Sequence, residues 1–119
     1  MAYPEKNVDI QSRTFDFAVR IAQFCDKMNK VPGVNWVLGK QLLKAGTSVG
    51  ANVEEAQGAQ SKPDFIAKMS ISLKEARETN FWLRVIAAAG TFPSEDIPPL
   101  ITESKELMLI IGAIVKNAR

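Results

Sequence analysis

Three groups of helix-breaking residues divide this 119-residue chain into four segments whose apolar residues recur with helical spacing. The breakers are VPG at residues 31–33, a glycine at Gly58 and TFPSEDIPP from Thr91 onward. No segment shows the alternating pattern of a strand. Short connections favour antiparallel neighbours. The sequence therefore predicts an all-α, single-domain, up-down-up-down antiparallel four-helix bundle, with helices near residues 12–29, 35–58, 62–89 and 97–117.

Local signals indicate where the helices begin and which faces they bury. Ser12 is a suitable N-cap for the first helix. At the third helix, Ser61 is followed by Pro63 in the first turn and by Asp64, whose carboxylate is placed to reach back to the cap. The apolar face predicted for the first helix comprises Phe15, Ala18, Ile21, Ala22, Cys25 and Met28, with Phe17 and Phe24 beside it.

The composition argues against an enzyme. The chain has no histidine, which excludes Ser-His and Cys-His nucleophile pairs, histidine acid–base catalysis and histidine-ligated zinc. It also has no P-loop, no GxGxxG and no CxxC sequence. Its one cysteine, Cys25, lies on the apolar side of its helix, as expected for an inert core thiol. We expect no catalytic residue, no cofactor and no metal ion.

Hydropathy and charge indicate an ordinary soluble protein. No apolar run approaches the roughly 20 residues of a membrane span, and the start MAYPEKNVDIQS contains no signal-peptide region. The single cysteine agrees with a reducing compartment. We therefore expect a cytoplasmic location and no membrane partner. The formal charge of +2 is too small to indicate nucleic-acid binding by itself, but a local basic patch can still form.

Polar residues border the apolar stripes of the second and third helices and form a predicted polar seam. In one interpretation they form a hydrogen-bonded network between helices, with Asn52 and Ser72 fixing the register. Glu55 or Glu75 is then paired with Lys68 or another lysine. In the other interpretation, Asn52, Glu55 and Glu75 line a ligand site. We favour the network, because these carboxylates lack the usual companions of acid–base chemistry. The polar seam comprises Gln41, Ser48, Asn52, Glu55, Ser72, Glu75 and Thr79.

Small residues in the second helix predict that another helix approaches it closely. A glycine inside a helix costs about 1 kcal/mol relative to alanine, so tight packing is the expected compensation. The small residues are Ala45, Gly46, Gly50 and Ala51.

Apolar residues outside the predicted core stripes indicate self-association. The sequence FWLRVIAAA, residues 81–89, is apolar on nearly all sides of its helix. Exposed apolar patches above a few hundred Å² usually mark an interface. We predict a homo-oligomer, unless a loop or the N-terminal arm covers these residues. The interface candidates are Trp36, Leu43, Phe81, Trp82 and Val85.

The same residues resemble a known family. The chain contains SRTFDFAVRIAQF and, farther along, TSVGAN followed by EA, SK, DF, SISLKEA and ET-x-x-WL at fixed spacing. These sequences are similar to those of the bacterial four-helix-bundle proteins encoded in ribosomal RNA intervening sequences. That family is similar in organisation to the accessory proteins of diversity-generating retroelements, whose pentameric rings bind nucleic acid and a reverse transcriptase. The resemblance implies an antiparallel bundle, a pentamer and no assigned enzymatic activity. It further implies RNA or DNA, and a reverse transcriptase or another protein, as partners.

Basic residues on the two middle helices are the candidates for contacting nucleic acid. A ring repeats each of them by symmetry around its opening. The alternative is that they are solvated members of i,i+4 ion pairs, and Lys74 with Glu78 has that spacing. No aromatic residue is interleaved with them in a way that predicts base stacking. If they do not bind nucleic acid, a protein-interaction scaffold is the alternative function. The candidates are Lys40, Lys44, Lys62, Lys68, Lys74, Arg77 and Arg84.

Overall fold

Four helices make up the part of the chain that the computed structural model describes, which is residues 5–119, with side chains from residue 10 onward. The helices are α1 (Glu5–Met28), α2 (Val34–Gln57), α3 (Lys62–Ala89) and α4 (Ile97–Ala118). Residues 5–119 contain no strand. The predicted all-α bundle is therefore confirmed, and it measures 47 × 21 × 19 Å.

Glycines on one side of α2 let α1 and α2 pack closely. Gly39 lies against Met28 near one end of the pair, and Gly50 lies against the Thr14 backbone farther along. Because the residue numbers run in opposite directions, these two helices are antiparallel. Between these positions, a Cβ on Gly46 would lie 2.7 Å from Ile21 Cγ2. The close approach predicted from the small residues is present, and it is made to α1.

Buried hydrogen bonds join the remaining neighbours. Ser72 Oγ donates to the Val49 carbonyl at 2.7 Å between α3 and α2. Asn80 Nδ2 donates to Ser104 Oγ at 2.9 Å between α3 and α4. The α1–α4 side has fewer contacts than the other three sides of the bundle. Arg13 of α1 forms an ion pair with Glu103 of α4 at 2.7 Å, and Lys27 of α1 forms one at 3.0 Å with Asp96, the residue just before α4.

The first helix differs from its prediction in both its start and its buried face. It begins at Glu5 rather than near Ser12, because Ile10 continues the buried stripe and no helix breaker intervenes. Ser12 is therefore not the N-cap. Phe15, predicted for the core, is 62% exposed, and Phe17 is buried in its place. The buried face of α1 consists of Ile10, Thr14, Phe17, Ile21, Phe24, Cys25 and Met28.

The start of α3 follows its sequence signals. The Asp64 amide donates to Ser61 Oγ at 3.1 Å, and Pro63 lies in the first turn. The Asp64 carboxylate accepts from the Gln60 amide at 3.3 Å, one residue before the cap. The helix ends at Gly90, whose φ of 68° is in the left-handed region that favours glycine. These local signals place α3 so that its outer face runs the length of the bundle.

Candidate nucleic-acid interface

The seven predicted basic residues do not share one environment. Lys40 and Lys44 are exposed on α2, and Lys62 is exposed at the start of α3. Lys68 is partly buried and forms an ion pair with Asp64 at 2.7 Å. The hydrogen bond from Lys68, with a second from the Gln60 amide, lowers the pKa of Asp64, and the bond to Asp64 raises the pKa of Lys68. Lys68 is therefore engaged in holding the first turn of α3.

Three of the basic residues form a row on α3, which we call the α3 cation row: Lys74, Arg77 and Arg84. They are spaced three and seven residues apart, so they lie on one face of the helix, and all three are exposed. Among side chains of residues 10–119, none of the three forms an ion pair. The Lys74–Glu78 pair that their spacing allows is not formed, and Glu78 instead accepts a hydrogen bond from Trp82 Nε1 at 3.2 Å.

An aromatic side chain lies within the α3 cation row. Phe81 is four residues after Arg77 and three before Arg84, and it is 46% exposed. The Arg84 guanidinium carbon lies 5.9 Å from the centre of the Phe81 ring. The sequence did not predict an aromatic residue among these cations, and Phe81 was predicted as an interface residue, because an apolar run does not show which side of the helix each residue occupies.

The predicted polar seam makes one side-chain hydrogen bond to another helix within residues 10–119, the Ser72 bond to Val49. Asn52, Ser48 and Thr79 each donate to a carbonyl of their own helix, four residues earlier. Gln41 and Glu55 are exposed, and Glu75 is partly buried. Neither glutamate is in an ion pair with a side chain of that range. The seam therefore contributes one interhelical bond and does not assemble the ligand site considered above.

The predicted oligomer-interface residues lie on different sides of the bundle. Trp36 and Leu43 are each three residues before a close-packing glycine of α2, so they lie on the side facing α1. Trp36 Nε1 donates to the Asn29 carbonyl at 2.9 Å. Phe81 and Trp82 contact each other on α3, with ring centres 5.1 Å apart. Val85 is partly buried on α3.

Two exposed apolar residues of α1 were not among the predicted interface candidates. Phe15 lines a surface pocket together with Glu54 of α2, so it belongs to the side where Trp36 and Leu43 lie. Val19 is one turn farther along and is also exposed. The competing Phe17 and Phe24 pattern was the signal that could have placed Phe15 outside the core. We call Phe15, Val19, Trp36 and Leu43 the α1–α2 apolar face.

Cys25 and the acidic residues are the side chains to consider for nucleophilic chemistry and metal binding. Cys25 is buried, and burial raises the pKa of its thiol to about 12, which makes it a poor nucleophile. No group of three or more Cys, Asp and Glu side chains among the described residues is arranged to hold a metal ion. Across the described helices, none is long and apolar enough to span a membrane. What the arrangement offers instead is exposed charge and exposed apolar surface.

A family comparison extends over most of this chain. The model of the family described as 23S rRNA-intervening sequence protein matches residues 6–113. The chain belongs to this family. A crystal structure of a protein of unknown function from the S23 ribosomal protein family of Bacteroides thetaiotaomicron VPI-5482 is similar, with 36% identity and a TM-score of 0.85. The match covers 93% of this chain and 98% of that chain. No curated protein matches the sequence. Membership in the 23S rRNA-intervening sequence protein family therefore establishes the fold and leaves the activity open.

Proposed function

We propose that this protein is a non-enzymatic, self-associating bundle that binds nucleic acid through the α3 cation row. The observation that carries the proposal is that Lys74, Arg77 and Arg84 are exposed on one helix face without a carboxylate partner among side chains 10–119. Cations that are already paired must give up their partners before they contact phosphate. The unpaired row has no such cost.

Local arrangement matters more here than net charge. The chain carries 15 basic and 13 acidic residues, so long-range attraction of a polyanion is weak. The two glutamates nearest the row in sequence, Glu75 and Glu78, are partly buried, and Glu78 is bonded to Trp82. Because the neutral Trp82 leaves the charge of Glu78 in place, these two glutamates offset part of the positive potential of the row, and binding depends on direct contact between its three cations and phosphate. Self-association would repeat the row and strengthen binding by multivalency.

A salt series tests this function. We expect a fluorescein-labelled RNA hairpin and a single-stranded RNA to bind at 50 mM salt. Log affinity should fall linearly with log salt concentration, with a slope of about −2 to −3 for three phosphate contacts. The double reversal K74E/R77E should weaken binding at least about tenfold, because it replaces two phosphate contacts by repulsion.

The matched control is K40E/K44E, which makes the same charge change on α2. We expect it to weaken binding less, since Lys40 and Lys44 lie outside the row. Equal losses in the two variants would show a general charge effect and contradict the assignment to α3. An absence of binding at 50 mM salt would remove the nucleic-acid function.

The α1–α2 apolar face favours a second candidate, a protein-interaction scaffold built by self-association. Trp36 is 55% exposed and Leu43 is 37% exposed, and Phe15 and Val19 are exposed on the neighbouring helix α1. Several large apolar groups on one side of a small bundle are typical of an interface. A scaffold needs this surface and no phosphate contact.

Light scattering tests self-association. We expect the wild-type protein to be oligomeric and Leu43→Asp to reduce its mass, because a charge buried in an interface is costly. The matched control is Leu109→Asp on α4, where the leucine is 71% exposed and outside the face. A wild-type monomer, or equal effects of the two variants, would contradict the interface. Assembly without RNA binding would favour the scaffold.

A further inference from the structure

Phe81 is held in place beside Arg84. The Phe81 and Trp82 rings meet edge to face, with an interplanar angle of 73°. Arg84 Nε donates to Asn80 Oδ1 at 2.8 Å, and Asn80 is itself buried and bonded to Ser104. The guanidinium is therefore positioned by a buried partner. An aromatic ring and a guanidinium that are ordered before binding lose less side-chain entropy when a ligand arrives.

This pair combines the two features by which proteins bind unpaired bases. Aromatic rings and arginine planes stack on bases, and nearby cations hold the backbone. Phe81 lies between Arg77 and Arg84, with Lys74 one turn before Arg77. At 1.5 Å per residue, the row extends about 15 Å along the helix, which is enough for a short run of nucleotides.

We propose that the α3 cation row prefers single-stranded nucleic acid, with one base stacked on Phe81 beside Arg84 and the flanking phosphates held by Lys74 and Arg77. The inference rests on the proposed nucleic-acid function. It goes further because it names the strand state of the nucleic acid. In a duplex the base faces are stacked on one another, so they are not free to stack on Phe81. Phe81 lies on the outer side of a helix, and it can stack on a paired base only if the duplex is unstacked, which costs free energy. A single strand presents its base faces without that cost.

Competition between strand states tests the preference. We expect a 12-nucleotide single-stranded RNA to bind more tightly than a hairpin whose 12-base-pair stem is closed by a non-nucleotide linker, and which therefore has no unpaired loop bases, at the same salt concentration. Phe81→Leu should lower single-strand affinity about tenfold and leave hairpin affinity unchanged, since stacking requires the aromatic ring. The control is Leu109→Ala, which shortens a large exposed apolar residue of α4 outside both the α3 cation row and the α1–α2 apolar face, and which should change neither affinity.

Trp82 supplies a second measurement that does not depend on the affinity of a variant. In a Trp36→Phe background, Trp82 is the single tryptophan, and its ring lies against Phe81. We expect single-stranded RNA to quench Trp82 emission and hairpin RNA at equal occupancy to leave it unchanged. Equal quenching by both would overturn the inference.

The outcomes separate this inference from the proposed function. If Phe81→Leu has no effect and K74E/R77E abolishes binding of both RNAs, the row binds phosphate and the stacking inference is wrong. The inference is also overturned if Phe81→Leu changes the oligomeric mass, because Phe81 is then an interface residue. If neither RNA binds the wild-type protein at 50 mM salt, the nucleic-acid function itself fails.

Discussion

Gly46→Ala should lower the free energy of unfolding by about 2 kcal/mol. The new Cβ would lie 2.7 Å from Ile21 Cγ2 and 2.9 Å from Ile21 Cγ1. Ile21 is fully buried and β-branched, so it has few alternative rotamers and no space into which to turn. Alanine gains about 1 kcal/mol over glycine in helix propensity, and the expected loss is what remains after that gain. Urea unfolding at fixed protein concentration measures the difference.

Gly112 provides the control for this prediction. It also lies inside a helix, but a Cβ there would meet no atom within 4 Å. Gly112→Ala should therefore stabilise the protein by up to about 1 kcal/mol. If Gly46→Ala were stabilising as well, helix propensity alone would govern both sites, and the close packing of α1 against α2 would have no energetic weight.

Helix boundaries could be predicted where the signals are local. Ser61, Pro63 and Asp64 act within one turn, so the start of α3 was predicted to the residue. The end of α3 is a second local case, because Gly90 has a φ of 68°, which is in the left-handed region that favours glycine. The start of α1 was missed because an N-cap residue such as Ser12 is equally acceptable inside a helix on its exposed side.

The buried face of α1 could not be decided from periodicity. Phe15 and Phe17 are about 200° apart around the axis, yet each is helically spaced with later apolar residues that the two patterns share, such as Cys25. Packing selects the second, since it continues through Ile10 and Phe24. The spacing of apolar residues shows that a segment is helical. When two sides of the helix are apolar, the spacing does not show which side is buried.

The residues of the candidate site could be predicted from the sequence, but the hydrogen-bond and ion-pair partners of the side chains could not. Exposure of Lys74 and Arg77 follows from the polar side of α3, but the partner of Glu78 does not. At i,i+4 spacing Glu78 can reach Lys74 in one direction and Trp82 in the other, and the structure has the second bond. The seam failed for a similar reason. Ser, Thr and Asn on a helix can bond their own backbone four residues earlier, which removes them from an interhelical network.

The Asn80–Ser104 bond is the side-chain pair for which we expect the largest polar contribution to stability. Ser104→Ala leaves Asn80 Nδ2 buried without an acceptor, and an unsatisfied buried donor costs about 1–3 kcal/mol. Asn80→Ala removes the bond to Ser104 and the anchor of Arg84, and it leaves a cavity. We therefore expect each single variant to lose about 2 kcal/mol in urea unfolding.

The double variant distinguishes a coupled pair from two independent losses. Once Asn80 is absent, Ser104 Oγ still donates to the Ile101 carbonyl, so its removal costs less than in the wild type. The double-mutant cycle should give a coupling of about 1 kcal/mol. Ser72→Ala is the matched control for Ser104→Ala, because it also removes a buried serine hydroxyl that bonds to another helix. The Val49 carbonyl that loses this bond still accepts its backbone hydrogen bond within α2. Strict additivity of the Asn80 and Ser104 losses would mean that the bond between α3 and α4 contributes nothing beyond the packing around it.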